Sequence, residues 1–181
     1  MSEPTRKTAV MVDLETFGTT PNAVITSIGA VRFDPYGTWI DTWAFHIHVA
    51  VASQPRRSID AGTVLWWLQQ SDAARNALVS GQDAAADLTL ALEAFASFVD
   101  GADEIWCNGA SFDLPTLAHA FAEVGDKTPW AYWQERDLRT LKALNPQRIE
   151  RSGTAHHALD DALHQARLVQ HILQFNPDLD S

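Results

Sequence analysis

The chain has 181 residues, with 13 Lys and Arg against 23 Asp and Glu, for a formal charge of −10. Hydrophobic residues at 46% and charged residues at 20% exclude a disordered chain, a collagen-like fibre and a coiled coil, and the length suits one domain over residues 1–181 with its core over about 8–175. The single cysteine, Cys107, excludes a disulfide framework and fits a reducing compartment. No apolar run approaches the roughly 18 residues that cross a membrane, and the charged N-terminal stretch has no apolar leader core, so the protein reads as soluble and cytoplasmic. On its face, acidity argues against a nucleic-acid partner, because phosphate binding leaves a basic footprint.

In chain order, residues 8–14 (TAVMVDL) form an apolar run ending in acids, and residues 24–33 (VITSIGAVRF) are rich in β-branched side chains after the turn signal Pro21-Asn22. Residues 34–38 read as a turn, and residues 38–49 alternate as a third strand, completing an antiparallel meander. The period then becomes helical. Ser58 or Asp60 can cap a helix through Leu68, Ser71 can cap the next, and residues 87–99 place Leu88, Leu92, Phe95 and Val99 on one face. Residues 104–108 form a short strand, residues 114–124 and 137–144 are helical, and a last helix spans 158–175 before Asn176-Pro177. The fold class is therefore α/β, with a mixed central sheet in which strands after the meander add in parallel, flanked by helices.

Three groups of residues can carry chemistry. Asp13 and Glu15 sit two apart at a strand end, so both project from one face and can share a cation. A D-x-E pair arises roughly 0.6 times by chance in this composition. Its position after the buried-looking run AVMV adds weight, because a bound cation relieves the cost of burying acids; a solvated strand end is the competing reading. The second group is N-G-A-S-F-D over residues 108–113, where a strand gives way to a helix and Asp113 could instead complement the helix N-terminus, with Ser111 as its cap. The third is H-H-A-L-D-D-A over residues 156–162, in which His156 can swing over a site that Asp161 enters from the last helix.

Together these motifs, in this order, resemble the DEDD 3′–5′ exonuclease superfamily, in the branch whose last motif contains histidine (DEDDh). The first motif matches Asp13 and Glu15, the second ends in Asp113, and the third, H-x-A-x-x-D, selects His156 over His157 and ends in Asp161. TVLWWLQQS at 63–71 and ERDLRTL at 135–141 are similar to the ribonuclease T-like subgroup, which includes exonuclease VIII-like prophage proteins. The resemblance spans about residues 8–172 and implies an RNase H-like fold and a metal-dependent exonuclease acting at the 3′ end of single-stranded RNA or DNA.

It further implies two Mg²⁺ ions, with Mn²⁺ able to substitute, and release of nucleoside 5′-monophosphates. Asp13 would bridge the ions, Glu15 and Asp161 would hold the nucleophile side, Asp113 would act on the other ion largely through water, and His156 would be the general base. Thr16 and Phe17 fall where the family contacts the terminal nucleotide, and Trp66, Asn108 and Phe112 are further substrate-binding candidates. Core packing competes with stacking for Phe17 and Trp66. His46, His48, His119, His164 and His171 read as structural or surface residues. Relatives of this subgroup often form homodimers. A catalytically silent nucleic-acid-binding module and an endonuclease on the same fold are the alternatives. With its acids absorbed into a metal site, the chain would hold nucleic acid through a short footprint at the strand end rather than a long basic track.

Overall fold

A computed structural model describes residues 7–109 and 111–174. Its organising strand is β1 (Ala9–Thr16), whose apolar run is buried on both faces. Antiparallel to it runs β2 (Ile25–Phe33), which in turn pairs antiparallel with β3 (Phe45–His48). On the other side, β4 (Glu104–Cys107) lies parallel to β1, and β5 (Glu135–Asp137) lies parallel to β4. The order is β3-β2-β1-β4-β5, the mixed sheet with a leading meander that the sequence pattern predicts.

Alternation along β1 divides the core. Val10, Val12 and Leu14 pack in a cluster with Leu92 and Phe95 of α3 (Leu88–Val99) and Leu117 and Phe121 of α4 (Asp113–Val124). Ala9 and Met11 join the opposite cluster, with Leu138 of α5 (Leu138–Leu144) and Val169 and Ile172 of α6 (Ala158–Gln174). Continued by the period of two, the second face carries Asp13 and Glu15 to the side covered by α6.

Two further helices follow the meander: α1 (Ala61–Leu68) and α2 (Asp72–Ser80). Asp60 caps α1 by accepting the Thr63 N–H at 2.7 Å, Ser71 caps α2, and Asp87 caps α3. Ser58 is instead used against the Asn22 backbone.

Three local expectations are corrected. The third strand is confined to β3, because Asp41 Oδ1 accepts the Trp43 N–H at 2.9 Å and turns the chain locally, leaving Ile40 as an isolated bridge to Phe33. Three charged residues, Glu135 to Asp137, form an edge strand too short and polar to show in the hydrophobic pattern. At α4 the cap position is Phe112, with no side-chain cap bond, so Ser111 does not cap it. The end of the last helix at Phe175, the Asn176-Pro177 stop and residues 1–6 lie outside the described residues.

One close approach fixes the layer over the site. Gly29 pairs with Asp13 across β1 and β2, and a Cβ on it would fall 2.2 Å from the Ala158 carbonyl carbon and 2.3 Å from the Leu159 nitrogen. Only glycine lets the start of α6 rest main chain to main chain on the sheet here.

Candidate active site

Asp13 and Glu15 emerge near the end of β1, where the β1–β2 register shifts between Glu15 and Thr16. Such irregularities re-aim side chains beside functional sites. Asp113 begins α4 directly beyond β4, and Asp161 lies in the first turn of α6. Elements distant in the chain thus deliver four carboxylates to one rim of the sheet.

Each carboxylate has a different set of contacts. Gln165, one turn beyond Asp161 on α6, donates Nε2–H to Asp13 Oδ1 at 2.6 Å. The Leu14 N–H donates to Asp113 Oδ1 at 3.3 Å. Asp161 accepts the His156 N–H at Oδ2, 3.2 Å away, and pairs with the guanidinium of Arg151 through Oδ1. Glu15 is buried, and its Oε1 has no hydrogen-bond partner among the described residues. A buried carboxylate oxygen left unpaired is costly, and it is the kind of group a cation satisfies.

The electrostatics agree. Burial pushes the Asp13 carboxyl well above the usual carboxylate range, with repulsion from Asp113 and Glu15 adding to it and the Gln165 amide opposing. Glu15 is pushed up to about 8, first by burial and then by Asp113, against the attraction of Arg151. Asp113 is pushed up to about 7 by burial, opposed by the Leu14 N–H. Three acids that resist ionising together are short of positive charge. Ligand atoms of Glu15, His156 and Asp161 all lie within 4.8 Å of one another, and the carboxylate oxygens supply the hard donors that Mg²⁺ or Mn²⁺ prefers, so these residues fit a divalent cation.

His156 adopts a left-handed backbone, with φ 61°, that sets its ring between the acids and the aromatic wall. Its ring centroid is 4.8 Å from that of Trp66, edge to face. Burial first, and Arg151 second, lower its pKa, so the ring is neutral near pH 7. The neighbouring His157 turns away, to Asp160 at 3.6 Å and to the ring of His46.

Beside the acids opens a cavity of about 420 Å³ lined by Leu14, Glu15, Thr16, Gly18, Thr19, Asp60, Gly62, Thr63, Trp66, Trp67 and Phe112. Trp66 is 42% exposed and offers a face, whereas Trp67 is buried and donates Nε1–H to the Thr16 carbonyl at 2.9 Å. Of the substrate-binding candidates, Thr16, Trp66 and Phe112 line this cavity. Phe17 does not: its N–H is drawn to the Val24 carbonyl in the turn after β1. Asn108 is also outside the lining; its buried Oδ1 is unpartnered among the described residues, and its carbonyl accepts from Arg139. Gln165, Arg151 and Trp67 are site residues that the motifs do not reveal. Gln165 was accessible through helical spacing, at i+4 from Asp161.

Comparison with known proteins places this geometry in context. The family model for the 3′-5′ exoribonuclease Rv2179c-like domain matches residues 8–173. An exodeoxyribonuclease of Enterobacteria phage T4 is 27% identical, with 74% of this chain and 70% of that protein covered. Among solved structures, E. coli exonuclease I in complex with a 5cy-dT13 oligonucleotide superposes with a TM-score of 0.67 at 16% identity, over 96% of this chain. The chain spans only 42% of that protein. Cell-death related nuclease 4 (CRN-4) superposes with a TM-score of 0.57 at 15% identity, over 94% of this chain and 64% of that one. The shared architecture is the RNase H-like nuclease fold.

Proposed function

The chain belongs to the 3′-5′ exoribonuclease Rv2179c-like domain family, within the DEDD-type 3′–5′ exonuclease superfamily, and from that membership we propose that it hydrolyses single-stranded nucleic acid one nucleotide at a time from the 3′ end. The observation that carries this reading is the cluster of Glu15, His156 and Asp161 ligand atoms within 4.8 Å of one another, with Asp13 and Asp113 near enough to Glu15 for the three charges to repel, beside a cavity with an aromatic wall that Glu15 lines. The four carboxylates would hold two divalent cations, Mg²⁺ or Mn²⁺. Bound there, the cations would neutralise the scissile phosphate, lower the pKa of the attacking water and stabilise the departing 3′ oxygen.

The chain's own residues supply the remaining work. Glu15 and Asp161 share reach around one point, which supports assigning them to one ion. His156, neutral and within that reach, accepts the proton of the attacking water at a ring nitrogen. Water attacks phosphorus, the bond to the 3′ oxygen of the shortened strand breaks, and a nucleoside 5′-monophosphate leaves. Trp66 and Phe112 form the surface on which the terminal base stacks, a contact that tolerates any base. Gln165 orients Asp13 and leaves its other oxygen available.

Digestion of 5′-labelled single-stranded RNA and DNA of one sequence tests this. A ladder shortening from the 3′ end in Mg²⁺, abolished by chelator and reduced at least a hundredfold by Asp13→Asn, is expected. A ladder that survives chelation would sink the metal mechanism, and internal cuts would indicate an endonuclease. The matched substrates separate ribose from deoxyribose preference, the point on which the exoribonuclease family name and the phage T4 exodeoxyribonuclease differ.

A further inference from the structure

We propose that a second cleft, between α5, the loop after it and α6, is the track for the strand upstream of the 3′ end, a claim that rests on the exonuclease reading. The cleft measures about 420 Å³ and is lined by Lys142, Pro146, Gln147, Arg148, Ile149, His164 and Leu168.

Its charge sets it apart from a chain of net −10. Residues 136–167 hold Arg136, Arg139, Lys142, Arg148, Arg151 and Arg167 against Asp137, Glu150, Asp160 and Asp161. That is six cations to four acids, or +2, which leaves the other residues at −12. Both signs are partly engaged: Arg136 pairs with Glu104 and Arg151 with Asp161, while Asp137 caps α5 and Asp160 accepts the Thr154 N–H. Lys142 and Arg148 have no ion-pair partner among the described residues. Burial first, then the charges of Arg151, Arg167 and Lys142, lower the pKa of the His164 imidazole, so three cations lie within electrostatic reach of one ring of the cleft lining.

The cleft starts close to the catalytic rim. Asp161, His164 and Leu168 follow one face of α6 at intervals of three and four residues, so the lining begins about one helical turn, roughly 5 Å, from the metal-site acid. Arg151 bridges the two regions through its pair with Asp161. A strand whose last phosphate is in the site must leave across the surface of a chain of net −10. Here its phosphates would meet unpaired cations, while Ile149, Leu168 and Pro146 offer apolar contact to sugars and bases.

The test is the double charge reversal Lys142→Glu with Arg148→Glu in the full chain, with Lys142→Gln and Arg148→Gln as a milder pair. Two readouts are needed: anisotropy of a 5′-labelled single-stranded 12-mer in chelator, and steady-state hydrolysis of a dinucleoside monophosphate in Mg²⁺. The reversal is expected to weaken 12-mer binding at least about tenfold at low salt and to flatten the slope of log affinity against log salt by about 1.4 or more, two phosphate contacts on a single strand. The glutamine pair should flatten it by about 1.4, and hydrolysis of the dinucleoside monophosphate, which has no phosphate upstream of the scissile one, should stay within twofold in both. Twelve-mer affinity within twofold of wild type for both pairs overturns the track. So does unchanged affinity with an altered oligomeric state, which would make the cleft a protein-docking surface. Failure of the underlying reading is distinct: wild type would then hydrolyse neither the dinucleoside monophosphate nor the 12-mer in Mg²⁺.

Discussion

Glu15→Gln should stabilise the metal-free protein at neutral and alkaline pH while abolishing hydrolysis. Glu15 is buried, with a folded-state pKa of about 8 against an ordinary value of 4.5. Between those values the folded state retains a proton that the unfolded chain has lost. Stability is therefore highest below the unfolded value and falls as pH rises toward the folded one, at about 1.4 kcal/mol per pH unit for one proton. Over the whole window this reaches on the order of 5 kcal/mol. Glutamine reproduces the neutral form and removes that slope. His46, held down to about 4 chiefly by burial, contributes the opposite trend between its folded value and its ordinary 6.5, but it does so in both proteins and cancels in their difference. Urea denaturation in chelator at pH 5, 6, 7 and 8 measures this. The stability difference between variant and wild type should widen steadily with pH, and added Mg²⁺ should restore the wild type selectively. Parallel pH profiles would refute the account of Glu15 as an acid buried without enough positive charge.

Other substitutions separate the roles of the neighbouring residues. His156→Ala should lower kcat about 10²- to 10⁴-fold while Mg²⁺ and oligonucleotide binding persist, and the wild-type rate should rise with pH through a value below 6.5; lost metal binding would make His156 a ligand instead. Trp66→Ala should raise KM in proportion to a stacking loss of about 1–3 kcal/mol, with kcat little changed, as steady-state kinetics on a trimer would show. Gly29→Ala should cost about 3 kcal/mol by thermal or urea unfolding, the upper range of overpacking, because its Cβ meets main chain; a stability loss under 0.5 kcal/mol would disprove the tight seat of α6.

The sequence made the chemistry more legible than its supports. Asp13 and Glu15 could be assigned to one face because a period of two leaves no choice, and the even positions Val10, Val12 and Leu14 are visibly the other face. The long apolar periodicity of α3 and α6 likewise defines them without tertiary information. Where geometry depended on a single local bond, the pattern was silent: the Asp41 turn that shortens β3, the Val24 carbonyl that draws Phe17 from the cavity, and the Gln165 amide on Asp13. β5 was hidden because Glu-Arg-Asp has no hydrophobic alternation to read. The basic cleft was hidden differently. Its cations are plain in the sequence, but a net charge averages them with acids that fold elsewhere.

The seat of α6 on Gly29 separates the dimensions of the catalytic rim from the quality of the core. Core side chains such as Met11, Val169 and Ile172 set how well the layers cohere, and volume-conserving exchanges among them are tolerated. The offset between the acids of β1 and Asp161 answers instead to two backbones touching, a length that no side-chain exchange elsewhere rescales. Gly29 thus acts as a gauge block: the interior can be repacked while the separation of the two layers stays set by main chain.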